Sequence, residues 1–211
     1  MMATRYSHAE TLHKFARDVL ASNIPACRYV KLACQRHLDD IAKSADPDYP
    51  YFFDKKEVHK KLSFIELLEH QKGEWGFRRQ RIKLEPWQVF GLGCTFGWKH
   101  KKDSRRRFRE SYHEVPRKNG KSVQAAGMGL AMFCMDDEFG AEVYCGATTE
   151  KQAWEVFRPA RLMVKRSPLL IDACGIEVNA SNLNRPADSS RFEPIIGDPG
   201  DGSSPHVALI D

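Results

Sequence analysis

The chain has 211 residues, of which 42% are hydrophobic and 29% are charged. This balance is typical of a globular protein and excludes collagen-like, coiled-coil and wholly disordered chains. The formal net charge of +5 permits a polyanionic partner without requiring one. No run approaches the roughly 18 consecutive apolar residues of a membrane span, and the first residues lack the apolar core of a signal peptide. We therefore expect a cytoplasmic protein.

The six cysteines and eight histidines do not follow a metal-binding pattern. The cysteines never reach CxxC spacing, and the histidines form neither HExxH nor a cluster with cysteine. Several cysteines lie in apolar stretches such as AMFCM, which predicts reduced, buried thiols rather than a zinc site.

Three stretches within the first 70 residues have helical spacing of their apolar residues, at 7–21, 26–43 and 58–70. Ser7 followed by Glu10 predicts a capping box at the first of them. The turn-rich segment DPDYPYF then indicates a boundary near residues 46–55. We accordingly predict an N-terminal helical segment at 1–50 and a second domain at 51–211.

Strand and helix patterns alternate from residue 108 onward. A short strand is predicted within 108–122, running into a turn, followed by an Ala- and Met-rich helix at 123–135, the strand AEVYCGA and a helix capped by a threonine near residue 149. IEV, RFEPIIG and HVALID are further strand candidates. This alternation predicts an α/β fold with a mainly parallel sheet.

Seven Lys or Arg residues occupy the eleven positions 99–109. Such a run can neutralise nucleic-acid phosphates. Most charge runs in proteins are simply solvated, so a solvated loop between two strands is the favoured interpretation of this segment.

The segment VPRKNGKS at 115–122 matches the second half of a phosphate-binding loop. Gly120 permits a turn whose N–H groups face phosphate, Lys121 reaches the β and γ phosphates, and the Ser122 hydroxyl holds Mg²⁺ at a helix N-terminus. Val115 stands where the usual motif has its first glycine. Taken alone, the segment is equally compatible with a polar turn capping a helix.

The run HVALID delivers a carboxylate at the end of a buried strand. Val207 to Ile210 is continuously apolar, as in a central parallel strand, and Asp211 follows it directly. A carboxylate in that position can orient Mg²⁺ through its water shell. Together with the GKS segment it predicts a nucleotide site.

These motifs, in this order, resemble the large terminase subunit of tailed bacteriophages. Leu84–Gln88 (LEPWQ) is similar to that family's adenine-recognition segment, VPRKNGKS to its variant phosphate loop, ATTEKQA at 147–153 to the strand-to-helix step that follows, and HVALID to its Mg²⁺-orienting strand. The resemblance implies a P-loop NTPase fold of the RecA/ASCE-like type, preceded by helices. Its implied contacts are Gln88 with adenine, Arg117 and Lys121 with phosphates, the N–H groups of Asn119 and Gly120 with phosphate oxygens, and Ser122 and Asp211 with Mg²⁺.

The resemblance further implies ATP and Mg²⁺ as ligands, and catalysis assisted by Lys121 and Arg117. The implied partners are double-stranded DNA, a small terminase subunit, the portal protein and sister subunits in a ring, all in the cytoplasm of a bacterial host.

In that family a catalytic glutamate, a coupling segment and a nuclease domain follow the aspartate. We therefore expect this chain to be the N-terminal ATPase portion, truncated at Asp211, with weak Mg-ATP binding and negligible turnover by itself. A competing hypothesis is a non-enzymatic remnant that binds nucleotide weakly or not at all. A helicase would also fit the ATP motifs, as would a small kinase with Arg158 and Arg161 in a lid, although a kinase leaves LEPWQ unexplained.

Overall fold

A computed structural model describes residues 6–196 and 205–210. Its contacts group the described residues into two compact units that are interleaved along the chain. The first comprises Met1–Phe64 with Lys83–Glu114, and the second comprises Ile65–Ile82 with Val115–Asp211. The sequence predicts a domain boundary between residues 50 and 51, and that boundary remains a prediction.

The first unit is built from helices and one antiparallel pair of strands. The pair joins Tyr51–Phe53 (β1) to Trp98–His100 (β2), with Phe52 opposite Lys99. Its helices are α1 (Ser7–Leu20), α2 (Arg28–Lys43), the start of α3 (Lys55–Leu67) and α5 (Pro86–Gly97). Helix α1 packs on both α2 and α5, so the apolar stripes predicted from the sequence meet in one core.

His37 lies at the centre of this core, with only 2% of its surface exposed. Its Nδ1 accepts a hydrogen bond from the Trp98 indole N–H at 3.1 Å, and its Nε2 lies 2.9 Å from Nδ1 of His13. The ring also packs edge-on against Phe53 and Phe90. Because Nδ1 is an acceptor, the ring is neutral with its proton on Nε2. Burial lowers its pKa to about 3, with the neighbouring His13 as a second cause.

The capping box expected at Ser7 is wrong. Tyr6 is the residue that precedes α1, it makes no side-chain cap, and Ser7 is already the first helical residue. A capping box is present instead at the start of α5. There the Glu85 side chain accepts the backbone N–H of Gln88, and the Gln88 side chain accepts the backbone N–H of Glu85. The helix at 58–70 is shifted to Lys55–Leu67, because Asp54 caps it by accepting from the Glu57 N–H at 2.9 Å.

The basic run at 99–109 divides between internal ion pairs and solvent. Lys99 pairs with Asp54 and Glu57, at 3.1 and 3.4 Å. Arg107 pairs with Asp40 at 2.6 Å and stacks over the ring of Tyr51. These two cations stabilise the first unit, whereas residues 101–105 form an exposed turn.

The second unit contains a five-stranded mixed sheet in the order β4-β5-β6-β3-β7. Strand β3 runs parallel to both β6 and β7, with Val143 opposite Phe192 on one side and Val207 on the other. The β4-β5 and β5-β6 ladders are antiparallel. The strands are β3 (Glu142–Ala147), β4 (Glu177–Val178), β5 (Leu183–Arg185), β6 (Ser190–Ile196) and β7 (Val207–Ile210).

Two long helices pack on this sheet and on each other. They are α6 (Lys121–Met135) and α7 (Glu150–Lys165), while α4 (Gly73–Phe77) and α8 (Pro168–Cys174) are short. Gly129 brings α6 directly onto the strands, since a Cβ there would lie 2.8 Å from Leu209 and 2.9 Å from Phe192. None of the helices formed by residues 6–196 and 205–210 has the length and hydropathy of a membrane span.

The strand predicted just before the GKS segment is wrong. Residues 108–116 form no strand, and Tyr112 is 88% exposed. The segment lacks the alternating buried face that stabilises a strand, and its polar groups bond locally, as Ser111 Oγ and His113 Nε2 do at 2.7 Å. The other predicted strands AEVYCGA, IEV, RFEPIIG and HVALID are confirmed as β3, β4, β6 and β7.

The neutral, buried His37 predicts a loss of stability in mild acid. The unfolded chain binds a proton at the ordinary pKa of 6.5, whereas the folded chain does not until about pH 3. The free energy of unfolding should therefore fall by about 1.4 kcal/mol for each pH unit below 6.5, or about 2 kcal/mol at pH 5.

Urea unfolding at pH 7.5, 6 and 5 measures this slope. The His37→Asn variant, which keeps an acceptor for Trp98, should be less stable at pH 7.5 but show a shallower slope between pH 6.5 and 5. An equal slope in the variant and the wild type would assign the acid sensitivity to other groups.

Candidate nucleotide site

The segment 115–120 forms an exposed turn that leads directly into α6. Two of its residues adopt left-handed backbone conformations, Lys118 with φ 67° and Gly120 with φ 75°. The Asn119 side-chain amide donates to the carbonyl oxygens of Pro116 at 3.1 Å and Arg117 at 3.3 Å, which holds the turn closed. A non-glycine residue with positive φ is strained, and such strain concentrates at ligand-binding loops.

Lys121 and Ser122 are the first two residues of α6. Gly120 precedes them and accepts the Gln124 N–H through its carbonyl oxygen at 2.9 Å, but it has no side chain with which to cap the helix. The first turn of α6 therefore has no side-chain cap, and the positive end of the helix dipole there favours an anion. Lys121 is exposed and Ser122 is half-buried, so both can face a ligand in solvent.

The structure brings together the predicted residues Arg117, Asn119, Gly120, Lys121 and Ser122 on one turn. Gln88 belongs to the first unit, at the N-terminus of α5. Its Oε1 accepts the Glu85 N–H at 2.9 Å, so only its amide N–H₂ is left to donate to a base.

The aspartate that follows the last strand, Asp211, lies outside the described residues. Its strand β7 ends at Ile210 and runs parallel to β3, with Gly146 opposite Ile210. The carboxyl ends of the two strands therefore share one edge of the sheet. At that edge β3 leads into Thr148 and Thr149, and the Thr149 hydroxyl caps α7 by accepting the Gln152 N–H at 3.3 Å.

An open cleft of about 540 Å³ lies beside the start of α7, and sequence reasoning missed it. Thr149, Glu150, Lys151, Trp154 and Arg158 line it. The signal was present in the sequence, because Lys151, Trp154 and Arg158 recur at the three- and four-residue spacing of one helix face. That face lies opposite the apolar face of α7, on which Ala153, Val156, Phe157 and Met163 are buried and Leu162 is half-buried.

The described residues contain no group of three or more His, Cys, Asp or Glu side chains arranged to hold a metal ion. His206, which precedes β7, instead pairs with Asp136 at the end of α6, with Nε2 2.8 Å from Oδ2. This ion pair joins the end of α6 to the residue that precedes the last strand.

The fold, a sheet with two parallel ladders at β3 on which α6 and α7 pack, is of the P-loop NTPase class. Residues 86–211 match the family model "Terminase large subunit, ATPase domain", and this match covers more than half of the chain. The chain therefore belongs to the terminase large-subunit ATPase family, which confirms the resemblance seen in its motifs.

The fold is similar to that of the large terminase of bacteriophage HK97, with a TM-score of 0.56 and 21% sequence identity. The similarity covers 72% of this chain and 30% of the HK97 chain, so this chain spans about a third of that protein's length. It confirms the expected α/β P-loop fold. No curated protein matched the chain in a sequence search.

The left-handed conformation at Gly120 predicts a cost for any side chain there. Gly120→Ala should lower the free energy of unfolding by about 1–2 kcal/mol, because an L-residue pays that amount at such a φ. Urea unfolding at pH 7.5 measures the loss. The matched control is Lys118→Asn, which should be neutral or slightly stabilising because asparagine tolerates this region better than lysine. An unchanged stability in Gly120→Ala would mean that the turn has a different conformation in solution.

Proposed function

We propose that the turn 115–122 binds the triphosphate of ATP together with Mg²⁺, and that this chain supplies the ATPase portion of a terminase large subunit. The observation that carries the proposal is the left-handed turn at Lys118 and Gly120, which feeds an uncapped helix whose first two residues are Lys and Ser. Membership in the ATPase family supports it.

In this proposal the chain's own residues act by position and charge. The N–H groups of Asn119 and Gly120 and of the first turn of α6 donate to phosphate oxygens. Lys121 adds a positive charge that reaches the β and γ phosphates, and Arg117 adds a second charge from the exposed turn. Phosphoryl transfer depends on such electrostatic stabilisation, since negative charge is spread over the transferring group.

The residues near the loop fit Mg²⁺ by their chemistry, because that ion prefers hard oxygen ligands and retains several waters. We assign the Ser122 hydroxyl as a direct ligand and the Asp211 carboxylate as a group that orients the ion's waters. Bound there, Mg²⁺ would neutralise charge on the β and γ phosphates. The carboxyl end of β7, which directly precedes Asp211, lies at the same sheet edge as the carboxyl end of β3, and ligands bind at such edges of open α/β sheets.

We assign adenine to Gln88. Its Oε1 is committed to the Glu85 N–H, so the amide N–H₂ is the group it would offer to the base. Removing this side chain would break the capping box of α5 as well as the base contact.

For the whole protein we propose ATP hydrolysis coupled to translocation of double-stranded DNA into a capsid. The partners would be a small terminase subunit, the portal protein and sister subunits in a ring, in the cytoplasm of a bacterial host. Family membership is the support for these assignments.

Lys121→Ala should weaken Mg-ATP binding by about 10- to 100-fold, because a hydrogen bond from a charged donor contributes about 1.5–3 kcal/mol. Isothermal titration calorimetry on the full chain measures the Kd. Lys102→Ala is the matched control, since it removes an exposed lysine from the turn after β2 and should leave the Kd unchanged. Equal affinity of wild type and Lys121→Ala would refute the assignment of the loop.

Ser122→Ala should affect nucleotide binding only when Mg²⁺ is present. The variant loses an oxygen ligand, so its ATP affinity in Mg²⁺ should fall toward the affinity measured in EDTA, where variant and wild type should agree. Calorimetric titrations with and without Mg²⁺ make the comparison. A loss of affinity that is the same in EDTA would show that the hydroxyl contacts phosphate rather than the ion.

A further inference from the structure

The open cleft of about 540 Å³ beside the start of α7 is not used by the proposed contacts with ATP. Its volume lies within the range of sites that bind small organic ligands. Thr149 lines the cleft and follows closely on β3, so the cleft lies at the carboxyl edge of the sheet. Ligands bind at this edge in open α/β sheets, which makes the cleft a place where a second ligand can be held.

Trp154 supplies a flat apolar surface in this cleft. Its indole ring packs edge-on against Phe157, with the ring centroids 5.3 Å apart, and Phe157 in turn packs against Phe192 in the core. These contacts anchor the indole, while the side chain stays half-buried and lines the cleft. An anchored aromatic ring that solvent can reach is a platform on which another flat ring can stack.

Two cations flank Trp154 along the helix. Lys151 lies three residues before it and Arg158 four residues after it, which places all three side chains on one face of α7. Both cations are exposed, and the guanidinium of Arg158 lies 6.0 Å from the centroid of the indole. At 1.5 Å per residue, the two cations leave the helix about 10 Å apart, one on each side of the ring.

The charge of these cations is available to an external anion. Neither Lys151 nor Arg158 forms an ion pair within the part of the chain that the structure describes. The carboxylate of Glu150 also lines the cleft, from the first turn of α7. Two cations against one carboxylate leave the lining with a net positive charge, which favours a phosphate.

We propose that the cleft binds an unstacked nucleotide, with its base on Trp154 and phosphate on Lys151 and Arg158. A base exposes its flat faces only outside a duplex, so this chemistry selects a single strand or a free nucleotide over paired DNA. A single strand carries a phosphate on each side of a base, which matches a cation on each side of the ring. We therefore expect a strand to bind more tightly than a monophosphate. The site is separate from the proposed ATP site and does not depend on it.

Fluorescence anisotropy of a labelled twelve-nucleotide thymidine strand, titrated with the full chain at pH 7.5 in low salt and EDTA, tests the role of the ring. Trp154→Ala should weaken binding by about tenfold or more, because it removes the stacking surface. Trp154→Phe keeps a ring and should restore most of the affinity. The matched control is Trp75→Ala, which removes a 58% exposed indole from α4 and should leave the Kd unchanged.

The charged residues of the cleft give a second readout, the dependence of the Kd on salt. Lys151→Ala and Arg158→Ala should each weaken binding and reduce the slope of log K against log salt by about 0.7, the value for one phosphate of a single strand. Glu150→Gln should have the opposite effect and tighten binding by about two- to fivefold, because it removes a like charge near the phosphate. Failure of Glu150→Gln to tighten binding would contradict a phosphate in this cleft.

Competition against the wild-type chain needs no variant to fold and identifies the source of the nucleotide. The unlabelled strand should displace the probe at a concentration about tenfold lower than thymidine 5′-monophosphate, and equal displacement by the monophosphate would assign the cleft to free nucleotides. Equal affinity for a duplex of the same length, unchanged binding by Trp154→Ala, or no binding of either ligand would overturn the proposal. These titrations contain neither ATP nor Mg²⁺, so failure here is distinct from failure of the proposed function.

Discussion

The position of β3 between β6 and β7 is the constraint on which the second unit depends. Both of its ladders are parallel, and two parallel strands can be joined only by a crossover that passes over the sheet. Helix α7 begins that crossover directly after β3, and α6 packs beside it. The ladders also gather the carboxyl ends of β3 and β7 at one edge. Ligands bind at such edges in open α/β sheets, and the order of elements therefore decides where chemistry can occur.

Within the first unit, the buried ring of His37 fixes how the surrounding helices and strands pack. Residues from α1, α5, β1 and β2 all contact this one ring. Its two nitrogens are both used, one as acceptor from Trp98 and one toward His13. A buried polar group that is fully hydrogen-bonded specifies a single arrangement of its neighbours, whereas the same ring would destabilise the core if it carried a charge. The buried, neutral ring of His37 therefore accounts both for the specific packing of this core and for its predicted loss of stability in acid.

Much of the fold was predictable because its signals are local. The apolar periodicity of residues 7–21 and 26–43, the threonine cap near residue 149 and the apolar run at 207–210 each predicted the type of element that the structure contains. The turn before α6 was predictable as well, since Gly120, Lys121 and Ser122 are adjacent in the chain. The roles of these residues toward ATP remain predictions, as do those of Gln88 and Asp211.

Other features depended on contacts that a linear pattern does not contain. Helix α5 carries Gly91, Gly93 and Gly97, which lower helix propensity, yet these glycines admit His113, Leu12 and Phe53 against the helix. The strand expected before the turn failed for the opposite reason, because residues 108–116 form no ladder with another described strand.

Gly129 couples the turn at residues 115–120 to the last strand mechanically, because it seats α6 directly on β7. The helix backbone at that residue rests on Leu209 and Phe192 without room for even a methyl group. Helix α6 therefore behaves as a stiff rod seated on β6 and β7, and a displacement at its loop end cannot be absorbed by a gap beneath it. A displacement of the turn would therefore be carried along α6 to β6 and to β7, the strand that ends at Ile210.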